Sequence, residues 1–400
     1  MPVFEVELDR VATGGSALGR GPDGRVVFVA GGLPDERLAV RPLKEHRRRI
    51  EAELVDVVRP APGRRVEPCG EVGRGCGGCD WQHATDRTQA ELRRRIVDDC
   101  LRRLARIDNP PVVIGPSLPG VGYRTSVRAA VVNGRAGYRA RRSHDVVVPD
   151  SCLVAHPLVE ELLVDGRFGS ASEVTLRAGA RTGERLALVS PTADGVRLPD
   201  DVVVVGADEA AKRTDGHYHE RIGDRTLRIS ARSFFQCRPD GAEALVSLVD
   251  DALGSVDGPI VDAYGGVGLF GALLGRGRRV IGVESSPSSS ADAAVNYDAR
   301  ARAHRVRVER WRPEPAAAVI ADPARSGLGM EASVRLAASG APTLVLVSCD
   351  PSSLARDAGL LAIHGFRLGQ VTTVDLFGQT SHVETVSLFR RGADAGTPIG

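Results

Sequence analysis

The chain has 400 residues, a formal net charge of +2 and 26% charged residues, a length that suggests two or three domains and a charge that does not by itself announce a polyanion binder. No run approaches the roughly 18 apolar residues of a membrane span, and MPVFEVELDR lacks the basic and apolar regions of a signal peptide, so no membrane partner and a cytoplasmic location are expected. Seven cysteines, three of them between Cys69 and Cys79, argue for metal or catalysis over disulfides in such a compartment.

Residues 1–60 read as a small β-barrel. Phe4, Val6 and Leu8 alternate with acidic residues as a half-buried strand, and Thr13 to Ser16 and Gly19 to Gly24 are turn chemistry. Val26 to Val29, Arg37 to Val40 and Ile50 to Val58 supply further strands, and small barrels of the OB type often bind RNA. The run Lys44 to Arg49 is basic except for Glu45; it is either a charged strand edge or an RNA contact. Lysine otherwise occurs only at Lys212, so arginine carries nearly all positive charge. PAPGRR, from Pro60, reads as a linker.

Cys69, Cys76 and Cys79 follow, separated by glycine-rich spacers that let backbone wrap closely around a centre. Zinc and iron–sulfur centres both favour four ligands, and spacing does not separate them. Cys152 is the expected fourth, because Cys100 lies inside a helical pattern and Cys237 beside another motif. Gln89 to Arg106 reads as an amphipathic helix with an arginine face that is either solvated or set against RNA backbone; it is expected to pack on the C-terminal domain. Tyr123 to Val189 reads as a mostly antiparallel β region, in which Tyr138, Arg139, Arg141 and Arg142 are candidate nucleic-acid contacts.

From Tyr218 the pattern changes to strands alternating with helices. A strand ending at Tyr264 runs into Gly265-Gly266-Val267-Gly268, a turn that lets backbone approach a nucleotide-like ligand. The strand Val280 to Val283 ends in Glu284, suited to ribose hydroxyls; dinucleotide and adenosylmethionine sites share this pattern. Ala317 to Ala321 ends in Asp322, and Thr343 to Val347 in Ser348-Cys349, with Asp350-Pro351 opening a helix. Tyr264, Glu284, Asp322 and Cys349 therefore each end a predicted parallel strand, and in one sheet they would line one rim. A C-terminal hairpin carries His382 and Glu384 in its loop.

The motifs FFQ, DAYGGVGLF, GVE, DPARSG, VSCDPSSLARD and DLFGQTSHVETVSLF occur in the order and spacing of the RNA uracil-5-methyltransferase family, which the chain resembles along nearly its whole length. The resemblance implies an α/β fold: a class I methyltransferase doubly wound sheet (218–400), an N-terminal TRAM/OB-like barrel (1–60) and a central β-rich cysteine-cluster domain (61–217). It implies S-adenosylmethionine contacts from Gln236, Tyr264, Glu284 and Asp322, a nucleophile at Cys349 and a base at Glu384. It also implies a four-iron four-sulfur cluster on Cys69, Cys76, Cys79 and Cys152, with zinc the alternative metal. The expected reaction is methyl transfer to carbon 5 of a uridine in RNA, 23S ribosomal RNA before tRNA, by a monomer.

Three departures stand out. Gly265 replaces a common cysteine, Ala324 a common proline, and Asp350 a common asparagine, whose added charge is expected to raise the neighbouring thiol's pKa. A cytosine-5 enzyme would want a second cysteine in DPARSG, and an amino-methylating enzyme an aromatic residue there. A non-catalytic RNA-binding protein would not need both Cys349 and Glu384, and an NAD-dependent oxidoreductase is left by the glycine turn alone.

Overall fold

The structure, a computed structural model, describes residues 2–141, 143–208, 216–275 and 277–392. Strands β1 (Phe4–Val11), β2 (Ala17–Arg20), β3 (Val26–Val29), β4 (Arg37–Glu45) and β5 (Arg49–Arg59) close into a barrel in the order β1-β2-β3-β5-β4. The alternation in β1 is what closes it: Val6 and Leu8 point inward to Val27, Val29, Leu38 and Val40. The basic run forms the tip of the β4–β5 hairpin, where Glu45 pairs with Arg25 at 2.9 Å. The linker is fastened: buried Glu36 accepts from Arg64 at 2.8 Å and from the Leu33 amide at 2.8 Å.

Helix α1 (Asp86–Leu104) starts on a Thr85 N-cap and buries Leu92, Ile96, Cys100 and Leu101. After β6 (Val112–Ile114) comes a six-stranded sheet, built from β7 (Ser126–Val132), β8 (Arg135–Arg139) and β9 (Val146–Val147), with α2 (Pro157–Asp165) packed on it. Beyond α2 lie β10 (Arg167–Phe168), β11 (Glu173–Ala178), β12 (Arg185–Ser190), β13 (Val196–Arg197) and β14 (Val202–Gly206). The sheet order is β14-β12-β11-β7-β8-β9, antiparallel except for β12 with β14, while β10 pairs only with β13. A hairpin of β15 (His217–Ile222) and β16 (Arg225–Ser230) leads onward.

The remainder alternates: α3 (Pro239–Leu253), β17 (Ile260–Ala263), α4 (Leu269–Leu274), β18 (Val280–Glu284), α5 (Pro287–Asn296), β19 (Ala301–Arg305) and β20 (Ala318–Ala321). Then follow α6 (Gly329–Ala337), β21 (Thr343–Ser348), α7 (Pro351–Ile363), β22 (Phe366–Val374) and β23 (Glu384–Arg391). The eight-stranded sheet runs β19-β18-β17-β20-β21-β23-β22-β6. Its first five strands are parallel and β23 is antiparallel to both neighbours. Both faces are covered, as near-continuous apolar strands require. Val261, Ala263, Val319 and Ala321 meet α1, α6 and α7 on one face; Ile260, Ala318 and Ile320 meet α3 and α4 on the other. Helix α1 thus packs on the C-terminal sheet's helix layer, and β6 pairs in parallel with β22 at its edge. No helix among the described residues is long and apolar enough to cross a membrane.

Candidate active site

The four strand-end residues meet on one rim. Of the neighbouring strands β18, β17, β20 and β21, the first ends in Glu284 and the others are followed directly by Tyr264, Asp322 and Cys349. The last rung between β21 and β23 joins Ser348 to Thr385, and Cys349 and Glu384 are the next residue of each chain, close enough for the Glu384 charge to act on the thiol. Glu384 itself opens β23 opposite Val374 and is only 4% exposed.

Burial dominates the electrostatics here. It pushes the half-buried Cys349 thiol up to about 12, with Glu384 and Asp322 adding to the rise and Arg325 opposing it. Burial holds the Glu384 carboxyl well above the carboxylate range, and Asp322 adds to that. The Asp322 carboxyl is raised to about 7 by burial and by Asp262. The expected effect of Asp350 is corrected: its carboxylate caps α7, accepting from the Ser353 amide at 2.7 Å, and the negative charges acting most on Cys349 are Glu384 and Asp322.

Gln236 is buried and donates to Asp322 at 3.4 Å, which joins the FFQ motif to the rim; Phe235 is buried and Phe234 is 68% exposed. Glu284 accepts from the Gly266 amide at 3.0 Å and the Ser286 amide at 2.6 Å, so it also orders the glycine turn. Tyr264 stands apart from these bonds. It adopts a left-handed φ of 57°, packs toward the α1, α6 and α7 face, and its buried hydroxyl has no partner. A non-glycine residue in this conformation with an orphaned hydroxyl at a strand end is the kind of position that clusters at ligand sites.

Several residues went unnoticed in the sequence. Asp262, fully buried inside β17, accepts from the Gly271 amide at 2.9 Å and the Tyr297 hydroxyl at 3.0 Å, while its other oxygen has no partner. An acid inside an otherwise apolar strand was the available signal. The Tyr297 ring sits among glycines: a Cβ at Gly265, Gly268, Gly271 or Gly282 would come within 2.5–3.0 Å of it. Gly265, one of the three departures, therefore leaves room for the Tyr297 hydroxyl, which a Cβ there would approach to 3.0 Å. Arg93 is corrected most strongly. It is 1% exposed, pairs with Asp375 at 2.8 Å, and donates to the carbonyls of His382, Phe377 and Thr380. The rest of α1's arginine face is solvated and largely tied up along the helix, as in Arg94 with Glu91 and Arg102 with Asp98.

Cys69, Cys76, Cys79 and Cys152 line one pocket. Burial raises the Cys76 thiol and takes Cys79 to about 11. Gly77 lies so close to the Arg139 carbonyl that any side chain there would clash, and Tyr138 reaches Cys152 at 3.5 Å. As a donor set, four thiols on one pocket suit a metal centre, though among the described residues no three such side chains are arranged to hold a metal ion. Arg141 donates to the Cys79 carbonyl at 2.6 Å and Arg139 is exposed; Arg142 lies outside the described residues.

No family model matches the chain. A relative from Streptomyces coelicolor, named an uncharacterized RNA methyltransferase, is 35% identical, the match spanning 98% of this chain and 93% of that protein. The 23S rRNA (uracil(1939)-C(5))-methyltransferase RlmD of Chromohalobacter salexigens is 32% identical over 98% of this chain and 90% of its own. The chain belongs to the RNA uracil-5-methyltransferase family. Its fold matches that of the Pyrococcus abyssi tRNA (uracil-54, C5)-methyltransferase solved with S-adenosyl-L-homocysteine, at a TM-score of 0.74, 23% identity, 96% of this chain and 99% of that one. The family is one of adenosylmethionine-dependent RNA methyltransferases, and this chain is an RNA methyltransferase.

Proposed function

We propose that the protein methylates carbon 5 of a uridine in 23S ribosomal RNA through a covalent adduct between Cys349 and carbon 6 of the ring. The observation that carries this reading is the β21–β23 register, whose last rung, Ser348 with Thr385, adjoins both Cys349 and Glu384 at the rim that Asp322 and Gln236 share. Carbon 5 of uracil is a weak nucleophile. Loss of the Cys349 thiol proton to solvent and addition of its sulfur to carbon 6 make the ring an enolate, whose carbon 5 can accept a methyl group. Glu384 then takes the carbon-5 proton; the freed electron pair rebuilds the carbon 5–carbon 6 double bond and expels the sulfur to Cys349. The uridine must leave its stack to reach this rim.

S-adenosylmethionine supplies the electrophilic methyl group. Gln236, Tyr264, Glu284 and Asp322 would hold it: the orphaned Tyr264 hydroxyl and the glycine turn, with Gly266 and Gly268 at φ 56° and 89° and open space beside Gly266, fit a nucleoside ligand. The four pocket cysteines hold a four-iron four-sulfur cluster, a reading supported by their common pocket and checked by iron, sulfide and zinc content of the purified protein. Residues 1–60 act as a TRAM domain gripping RNA, residues 61–217 carry the cluster, and residues 218–400 carry the chemistry. Ribosomal RNA is chosen over tRNA on the target of the Chromohalobacter relative. The test is mapping 5-methyluridine in 23S rRNA and tRNA from a strain lacking the gene, before and after treatment with the purified protein. Loss and restoration at one 23S uridine is expected; restoration only in tRNA overturns the target, and none in either overturns the reaction.

A further inference from the structure

The loop that delivers Glu384 to the rim is fastened by the segment that follows the cysteine pocket. Asp80 comes directly after Cys79. Its amide and that of Trp81 both donate to the Gln379 carbonyl, at 3.2 and 3.0 Å. Its carboxylate receives two bonds from one residue of the loop: the Ser381 amide at 2.8 Å on one oxygen and the Ser381 hydroxyl at 2.6 Å on the other. Behind this pair, the buried Trp81 indole donates to the Gly15 carbonyl of the barrel at 3.1 Å. Gly15 stands so close that a Cβ there would lie 2.6 Å from the Ser381 Cβ and 2.9 Å from the Asp80 carboxylate. The barrel turn therefore backs the Asp80–Ser381 contact on one side.

We propose that Asp80 is a positioning residue for the base: by fastening Ser381 it sets where the Glu384 carboxylate lies. The inference rests on the reading of Glu384 as the base. Only His382 and Val383 separate Ser381 from Glu384, and Val383 is buried. On the far side, the β23 ladder fixes the chain from Thr385 onward. The backbone at Glu384 is thus held from both ends. A two-point contact to one carboxylate removes the rotational freedom that a single hydrogen bond leaves. Arg93 grips the same loop through carbonyls, but only Asp80 takes hold of Ser381 by amide and side chain together.

The order of the chemical steps makes this role separately readable. Addition of the Cys349 sulfur to carbon 6 and methylation of carbon 5 both precede the base. Only afterwards does the carbon-5 proton pass to Glu384, with the electron pair of that C–H bond reforming the ring double bond and the carbon–sulfur pair returning to Cys349. A displaced Glu384 leaves methylated RNA bound through sulfur. General loosening of the site would slow formation and release of the adduct together.

The experiment compares full-length wild type, Asp80→Ala and Glu384→Gln with an unmodified 23S rRNA transcript and S-adenosylmethionine. Covalent protein–RNA complex is followed on denaturing gels against time. For Asp80→Ala, complex formation within about threefold of wild type and release slowed by about 100-fold are expected, the scale of an ångström-level misplacement. Ser381→Ala removes one of the two bonds, and a smaller accumulation of the same complex is expected of it; it serves in place of Asp80→Ala should that variant not fold. Release at the wild-type rate, or formation and release slowed alike, overturns the role of Asp80. A Glu384→Gln protein that traps nothing overturns the base assignment as well. Trapping by Glu384→Gln without trapping by Asp80→Ala overturns the positioning role alone.

Discussion

In the free protein Cys349 is a thiol. Burial raises it to about 12, with Glu384 and Asp322 adding to the rise, so the proposed role as nucleophile requires a bound substrate to change its surroundings. Removing one of those charges must lower the thiol's pKa. Glu384→Gln is therefore expected to speed alkylation of Cys349 by iodoacetamide at pH 9, read by mass spectrometry of the peptide containing residue 349; an unchanged rate contradicts this account of the site's field. Asp322 has a carboxyl raised from 3.8 to about 7 in the folded protein. A raised carboxyl favours the fold while it is protonated, and that contribution drains away as pH climbs from about 4 to about 7. Asp322→Asn is expected to melt higher than wild type above pH 7 and to lose that advantage below pH 4, as measured by thermal melts across pH. Cys349 was legible at this scale because a reactive residue type stands at a strand end before a helix-opening proline. Asp350 was misjudged, because adjacency in sequence said nothing of where its carboxylate turns: it caps α7.

At the scale of elements, two pieces of structure hold the rim. The glycine turn after β17 is held from below by Asp262 and Tyr297, joined at 3.0 Å. Tyr297→Phe keeps the ring but strips one donor from a buried carboxylate, a loss of about 1–3 kcal/mol. Weaker S-adenosylmethionine binding by calorimetry should accompany the lower melting point, because the same glycines frame the turn proposed to hold the cofactor. Gly265→Cys should weaken that binding too, since its Cβ would sit 3.0 Å from the Tyr297 hydroxyl. Helix α1 supplies the second hold. Arg93→Met leaves Asp375 buried without its cation, and a destabilisation of about 3–5 kcal/mol in denaturant melts is expected. The helix, its apolar face and its packing on the sheet could be anticipated from the spacing of Leu92, Ile96 and Leu101. Arg93 could not be told from its neighbours, because what distinguishes it is a set of carbonyls more than 280 residues away.

Across the whole molecule, the barrel turn at Gly15, the linker at Arg65, helix α1 and the segment leading into the six-stranded sheet converge on the loop from Phe377 to Val383 of the C-terminal sheet. Gln379 accepts from Arg65 at 2.8 Å, donates to the Gly120 carbonyl at 3.4 Å, and its amide donates to Gln89 at 2.9 Å. The order of strands and the rim they end on were readable, because each strand is a short apolar run closed by a polar residue. The meeting of the domains on one loop was not, because short polar contacts between distant segments leave no periodicity to read. The four pocket cysteines are expected to carry iron and sulfide, and Cys152→Ser to lower both metal content and melting temperature; full metal loading of that variant would remove Cys152 from the ligand set.

The account as a whole depends on one bond between sulfur and carbon. RNA carrying 5-fluorouridine at the target position has no carbon-5 proton to give up, so the wild-type protein is expected to stop at the methylated adduct, with the modified nucleotide attached to the peptide that contains Cys349. Attachment to any other residue, or continued methylation of ordinary RNA by Cys349→Ala, would contradict it.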